Sequence, residues 1–416
     1  MDAWTVARYT GPRRWVVFWM VMLMLVTVQF FALVPLLPLS EGNMSFATFF
    51  LVVLALLLRT RKLRHKPTNK EMKPLIWLLL SVLLSFIPAY VYYRQPFLQS
   101  FFTYRKFFFY LILPLLLTVR PTKEEIRKSF YIFSVIWLVM TIIVSFYLQS
   151  WVEVADGRLF IDEGDLLHCL PGGRYIGLSF ILALDHYLEK RSADNLVTAI
   201  FMFCCVFVIL SRTILAASMA IIVLATMSGR TVRAKVGGLT ALFVFFIVFT
   251  NLALDRLDLL IEETSSQVVD VEYNRNKAFI YMFSSQRNIW TILFGNGFIS
   301  GHVDSIIYDL QEKGIYHSDV GLIGMWHQFG LISVSVIVAS AINGVSRDYS
   351  FIIRAFSVYI LLSALTIGYF ALSECIFWIC LYWYLLSLES ESVARLRRER
   401  KIEKANRRQR YRSLTA

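Results

Sequence analysis

Apolar runs of roughly 17 to 25 residues, the length a helix needs to cross the hydrocarbon core of a bilayer, recur along most of this chain and dictate its class. In lipid, every backbone polar group must be satisfied inside the spanning structure, so only helices and closed barrels are available. Strands of a membrane barrel alternate apolar and polar residues, whereas these runs are continuously apolar. With 57% hydrophobic and 15% aromatic residues, the chain also carries more apolar surface than one soluble core can hide. The expected fold is an all-α polytopic membrane protein of about 12 transmembrane helices. Their spans are Trp15–Leu39, Met44–Leu58, Leu75–Tyr93, Phe101–Val119, Phe130–Gln149, Gly173–Leu188, Leu196–Leu210, Thr213–Met227, Val236–Leu254, Val320–Ala341, Phe351–Gly368 and Ala371–Leu388.

Short loops keep lysine and arginine on the cytoplasmic side, which orients the helices. Arg8, Arg13 and Arg14 precede the first span, and Arg59, Arg61, Lys62, Arg64, Lys66, Lys70 and Lys73 join the second to the third. Alternate loops continue the pattern with Arg120, Lys123, Arg127 and Lys128, then Lys190 and Arg191, then Arg230, Arg233 and Lys235, then Arg347 and Arg354. Both termini are therefore expected in the cytoplasm. The first span has no small-residue cleavage pattern and is expected to remain as an anchor. The tail from Arg395 to Arg412 has ten basic and two acidic residues, so it supplies +8 of the formal +13. That charge suits lipid headgroups and topology, and no nucleic-acid partner is expected. Five cysteines form neither a disulfide framework nor a zinc spacing, since Cys204, Cys205, Cys375 and Cys380 fall in spans and Cys169 stands alone in a loop.

On this topology the chain divides into nine helices over 1–254, an outside loop over 255–316, three helices over 317–388 and a basic tail over 389–416. A second sizeable outside loop, Ser150 to Gly172, contains Asp156, Asp162, Glu163, Asp165 and His168. Within the larger loop, Phe279, Met282, Phe283, Gln286 and Trp290 recur at spacings near three and four, which predicts an amphipathic helix from Arg275 to Trp290 on the membrane surface or against the bundle. The loop's aromatic residues, among them Tyr273, Tyr281, Phe294 and Phe298, offer faces for sugars, but packing on the bundle is the expected use.

Four basic positions meet the outer face: Arg174 at the start of the sixth span, Arg212 in the turn before the eighth, Arg275 in the large loop and His317 before the tenth. Charge at such positions is costly unless paired or set in a wet cavity. Each has a structural alternative: Arg212 can mark a headgroup-level turn, and Arg275 can pair with Asp270 or Glu272. As a group they suit a diphosphate, because a guanidinium fork binds phosphate oxygens bidentately and stays charged, while an imidazole can take a proton from an attacking hydroxyl. A diphosphate leaves readily, so neither a metal nor the paired carboxylates of a glycosidase are demanded. No cofactor is expected.

Arg275 with Phe279, then Leu293-Phe294-Gly295-Asn296-Gly297-Phe298, then His317-Ser318 before a helix containing Phe329-Gly330-Leu331, resembles the periplasmic-loop signature of the O-antigen ligase and Wzy-type polysaccharide polymerase superfamily. Ser211-Arg212-Thr213 and Gly173-Arg174 with Gly177 are similar to other segments of that family, and the likeness runs from about residue 170 to 345. The Gly330 segment sits two residues further from His317-Ser318 than the family pattern has it. The resemblance implies a GT-C-like enzyme of the bacterial inner membrane, with a large, partly helical periplasmic loop between helices 9 and 10. It would move glycans from undecaprenyl diphosphate at the periplasmic face. Arg212 and Arg275 would hold the diphosphate and His317 would activate the acceptor, while Arg174, Arg287, His302, Asp319 and His327 become substrate-binding candidates.

A polymerase would add the chain to another lipid-linked repeat unit, and a ligase would pass it to lipid A core. His-Ser-Asp at the tenth helix favours the polymerase. Its implied partners are the lipid-linked donor, the glycan acceptor and membrane lipids, with a chain-length regulator or flippase as further candidates. A secondary transporter is the rival from another class, but symmetric halves and mid-span acidic residues are missing: Asp185 and Glu374 lie near helix ends. A metal-dependent GT-C enzyme would want an acidic pair in the first outside loop, where Ser40-Glu41-Gly42-Asn43 offers one carboxylate. A scaffold role is the remaining alternative.

Overall fold

The computed structural model describes residues 13–28, 49, 50, 53, 67–147, 172–208, 212–227, 274–286, 288–298, 320–346, 348–364, 373–390, 393 and 394. Among the described residues there is no strand, and helices follow one another as α1 (Arg14–Thr27), α2 (Asn69–Tyr93), α3 (Phe97–Thr103), a 3₁₀ stretch (Tyr104–Leu111), α4 (Ile112–Val119), α5 (Lys123–Tyr147), α6 (Gly173–Lys190), α7 (Ala193–Val208) and α8 (Arg212–Met227). Then come α9 (Asn274–Ser284), α10 (Ile289–Phe294), α11 (Gly321–Gly344), α12 (Phe351–Ser363) and α13 (373–390). Four helical runs are long and apolar enough to cross a membrane: Asn69–Tyr93, Phe97–Val119, Lys123–Ile143 and Gly321–Gly344. Described helix overlaps each expected span except the ninth, which lies outside the described residues, as do 29–39 of the first, 365–368 of the eleventh and all of the second but 49, 50 and 53.

Local signals account for several boundaries. Thr68 accepts the Glu71 N–H while Glu71 reaches back to the Thr68 N–H at 2.7 Å, a reciprocal cap that starts α2. Pro96 sits at the N-cap of α3, where its missing N–H costs nothing. Burial then sorts the helices. From Cys375 to Leu385 every residue of α13 is at most 2% exposed, so this helix runs through the middle of the bundle. In α2, by contrast, Ile76, Leu80, Leu83, Ile87, Tyr90 and Val91 are exposed at helical spacing, an apolar stripe suited to lipid.

Charged contacts gather the helix ends into two groups. One end holds the starts of α1, α2, α5 and α12 with the ends of α4, α6 and α13. Arg13 donates from its backbone N and Nε to Glu125 Oε1, both at 2.8 Å, and from Nη2 to Oε2 at 2.9 Å. Nη2 also reaches the Arg120 carbonyl at 2.9 Å, giving a donor to a carbonyl that the end of α4 leaves unpaired. Donating these hydrogen bonds to the Glu125 carboxylate holds the Arg13 guanidinium pKa above its ordinary value. Lys123 pairs with Asp185 at 2.5 Å and contacts Glu189, Arg120 reaches Glu71 at 3.5 Å, and Glu389 Oε1 accepts from Ser350 Oγ at 2.6 Å. Among the described residues, Arg13, Arg120, Lys123 and Arg127 thus lie on one side of the bundle.

At the opposite end, Ser373 at the start of α13 donates to the Thr27 carbonyl at the end of α1, and Thr27 shares a 2.7 Å hydrogen bond with Tyr175 of α6. The Leu322 N–H donates to the Ala364 carbonyl at 2.8 Å, joining the start of α11 to the end of α12. In lipid such polar and close-packed contacts replace the hydrophobic drive that a soluble core enjoys.

Glu125 is 1% exposed, so stripping its partner strands a buried carboxylate. Arg13→Ala is expected to cost about 3 kcal/mol, read as a lower melting temperature in detergent, and Arg13→Ala with Glu125→Gln is expected to recover part of that loss. An unchanged melting temperature in the single variant would show that the pair does not hold this end together.

Candidate functional site

The Leu293-to-Phe298 segment docks into a break in α11. Gly330 has φ 77° and ψ 175°, conformations outside the helix, so the carbonyls of the preceding turn lose their in-helix partners. Three successive carbonyls find donors elsewhere: His327 O accepts from the Asn296 N–H at 2.7 Å, Gln328 O from the Gly297 N–H at 3.0 Å, and Phe329 O from Ser81 Oγ of α2 at 2.7 Å. Gly295, at φ 78°, completes an interlock in which two backbones touch. A Cβ on Gly330 would lie 2.0 Å from the Leu293 carbonyl oxygen, and one on Gly295 would lie 2.4 Å from the Gln328 carbonyl. Only glycine at both positions permits this approach.

The rest of the turn is held as closely. Gly297 packs on Ala89 and Ser85 of α2, one turn and two turns below the Tyr93 end of that helix. Pro88, which lacks an N–H, removes a backbone hydrogen bond of α2 at the same level. The Phe298 N–H donates to Tyr104 Oη, and the Phe298 carbonyl accepts from Gln95 Nε2 at 3.1 Å. Tyr104 opens the 3₁₀ stretch, whose length of eight residues is unusual for that geometry, and its ring meets Phe329 at 5.3 Å and Phe298 at 5.8 Å between centroids. Above the turn, Trp326 Nε1 donates to the Ile292 carbonyl at 3.0 Å, and His327 Nε2 shares a 2.7 Å hydrogen bond with Ser285 Oγ.

This differs from the single amphipathic helix expected over Arg275 to Trp290. The helix stops at Ser284, and Asn288 starts a new one by accepting the Trp290 and Thr291 N–H groups at 3.0 and 3.1 Å. An Asx cap of that kind competes with helix propagation, which is why periodicity alone overran the break. The expected packing stripe is met in part: Met282 is buried with Ala278 against Val320 and the Phe283 ring lies 5.1 Å from that of Trp326 in α11, while Phe279 and Trp290 are exposed.

Of the candidate residues, Arg174 contacts Glu374 at the start of α13, so its charge is balanced within the bundle. Its backbone carbonyl lies 3.5 Å from Tyr359 Oη of α12. Gly177, one turn further, packs on Tyr359 and on Ile214 of α8, which places the first turn of α8, beginning at Arg212, beside the first turns of α6. Arg275 lies in the first turn of α9, whose Ala278 packs with Val320 at the head of α11. The backbone starts of α6, α8, α9 and α11 therefore share the end opposite the basic loops. The side chains of Arg212 and Arg275 lie outside the described residues, as do Arg287, His302, His317 and Asp319 altogether. His327 is fully buried in the joint with Ser285, enclosed by protein.

Sequence reading overlooked Gln95 and Tyr104, which hold the docked turn from the turn after α2 and from the 3₁₀ stretch, and Ser81 of α2, which holds the Phe329 carbonyl of α11. These are contacts across more than 190 positions of chain, and no local spacing announces them. Arg94, exposed at the C-cap of α2 with φ 55°, is a further basic residue at this end; the positive-inside pattern hid it because it stands alone. No family model and no curated protein matches the chain.

Gly330→Ala and Gly295→Ala force Cβ atoms against backbone and impose a left-handed conformation, so each is expected to cost about 3 kcal/mol or more, seen as loss of a monodisperse peak in detergent. Gly297→Ala meets chiefly the Ala89 methyl at 2.5 Å, so adding Ala89→Gly is expected to restore part of the peak. Wild-type behaviour of Gly330→Ala would contradict the interlock.

Proposed function

We propose that this protein is a glycosyltransferase of the inner membrane that polymerises undecaprenyl-diphosphate-linked repeat units at the periplasmic face. The observation that carries this reading is the docking of Gly295-Asn296-Gly297-Phe298 into the Gly330 break, at the same end as the helix starts that bear Arg174, Arg212 and Arg275. Those glycine-containing segments are the ones that resemble the O-antigen ligase and polymerase superfamily, and their close fit gives the resemblance a physical basis. The proposed architecture has twelve spans of GT-C type, both termini in the cytoplasm and the docked turn toward the periplasm.

In this mechanism Arg212 and Arg275 bind the donor diphosphate. His317, three positions before Val320, takes the proton from the acceptor hydroxyl as its oxygen forms a bond to the anomeric carbon. The bond from that carbon to the diphosphate oxygen breaks, and the electron pair leaves with undecaprenyl diphosphate, whose added charge meets the guanidinium groups. Because Arg174 is balanced by Glu374, we assign it to holding α6 against α13, outside the diphosphate clamp. A ligase would use the same donor chemistry with lipid A core as acceptor.

Purified protein given undecaprenyl-diphosphate-linked repeat units from its own source, without added metal, is expected to yield a ladder of longer lipid-linked glycans that His317→Ala abolishes. Arg275→Ala is expected to lose at least about 100-fold in kcat/KM, as for removal of a strong charge-stabilising contact, and Arg275→Lys to recover little because it lacks the fork. A product formed only when lipid A core is offered would make the protein a ligase. Inertness to both acceptors would overturn the enzyme reading and favour the transporter alternative.

A further inference from the structure

The segment Asn274–Phe298 stands in the sequence as part of a hydrophilic loop, yet its contacts follow a membrane-crossing helix downward. Ala278 and Met282 of α9 meet Val320 at the head of α11, and Ser285 meets His327, seven positions further along α11. At 1.5 Å of rise per residue, α9 therefore descends about 10 Å beside a helix whose length and hydropathy suit a membrane span. The polar residues Asn274, Arg275, Asn276 and Lys277 occupy its upper turn. Below them Phe279, Ile280 and Phe283 are 45%, 56% and 50% exposed although all three are large and apolar; Phe283 also rests against Trp326 of α11, with ring centroids 5.1 Å apart.

The next helix repeats the pattern. Asn288 at the head of α10 contacts Tyr92 near the end of α2, and the turn that follows α10 reaches Ala89 and Ser85, deeper on the same helix. Ile289 and Trp290 are 60% and 63% exposed, and Trp290 stacks on Phe294 with centroids 5.6 Å apart. The neighbouring α2 exposes Ile87, Tyr90 and Val91 as well, on the side of that helix away from Ser85 and Ala89. Large apolar side chains exposed in this way would be a liability in water, whereas aromatic side chains at a membrane interface are placed where one end is apolar and the other wet.

We infer that α9, α10 and the docked turn form a re-entrant element whose outward face, Phe279, Ile280, Phe283, Ile289 and Trp290, binds phospholipid in the leaflet at the end opposite the basic loops. Lipid is the occupant because the face lies alongside a membrane-length helix, down to the level of His327, seven positions below the head of that helix. The inference rests on the chain crossing a membrane and stands whether or not the protein transfers glycans.

The test is site-directed spin labelling of the full chain, with Cys169 and Cys204 replaced by serine, in nanodiscs of phosphatidylethanolamine and phosphatidylglycerol. Nitroxides go on at Ile280→Cys, Phe283→Cys and Trp290→Cys, with Leu83→Cys on α2 as the lipid-facing reference. Collision with oxygen, which concentrates in lipid, is compared with collision with a water-soluble nickel chelate. The expected result is an oxygen-to-nickel ratio at all three sites close to that of the Leu83→Cys reference. Ratios dominated by nickel would place the hairpin in water and overturn the inference. Low collision with both reagents would mean that protein covers the face, and would overturn it equally.

Discussion

Three carbonyls in the middle of a membrane-length helix set the terms for much of this structure. Once Gly330 breaks α11, the carbonyls of His327, Gln328 and Phe329 have no helical donors, and lipid can offer none. Each unmet group at that depth would cost several kcal/mol. The chain answers by bringing the backbone of Asn296 and Gly297 and the hydroxyl of Ser81 to them. The turn's own end is held in return, since Gln95 donates to the Phe298 carbonyl and Tyr104 Oη accepts the Phe298 N–H. Break and turn are thus mutually dependent, and neither is stable in the membrane without the other.

That joint also decides what lies near what. Since α9 and α10 are sewn to α11 and α2, the first turn of α9 cannot drift away from the head of α11. The basic end is built differently, from ion pairs such as Arg13 with Glu125 and Lys123 with Asp185 that tie helix termini together. Among the described residues, one end is consequently cross-linked mainly by ion pairs, while the other combines the Arg174–Glu374 pair with backbone and hydroxyl hydrogen bonds.

The class of fold was legible because it depends on the length of apolar runs. Helix starts such as Thr68 with Glu71 are likewise local. The hairpin was not. Its periodicity from Phe279 to Trp290 is consistent with one helix, and only the cap at Asn288 and the distant contacts of Ser285 and Ile292 reveal two. For the same reason the whole aromatic stripe was assigned inward, whereas Phe283 packs on Trp326 but Phe279 and Trp290 face out. The Gly-Asn-Gly motif was visible in the sequence as a signature, but its partner at Gly330, and hence its physical purpose, needed the fold. Arg174 was visible as an unusual charge; that Glu374 balances it was not, because exactness of pairing between helix ends 200 positions apart leaves no local trace.

The most direct measurement is photo-crosslinking with a benzophenone-bearing prenyl diphosphate in nanodiscs, followed by mass mapping of the labelled peptides. If a lipid diphosphate binds where proposed, adducts fall on the first turns of α8 and α9 and on the head of α11, and excess undecaprenyl diphosphate removes them. Adducts confined to the basic end, around Lys123 to Lys128 and Glu189 to Arg191, would contradict the assignment of the site.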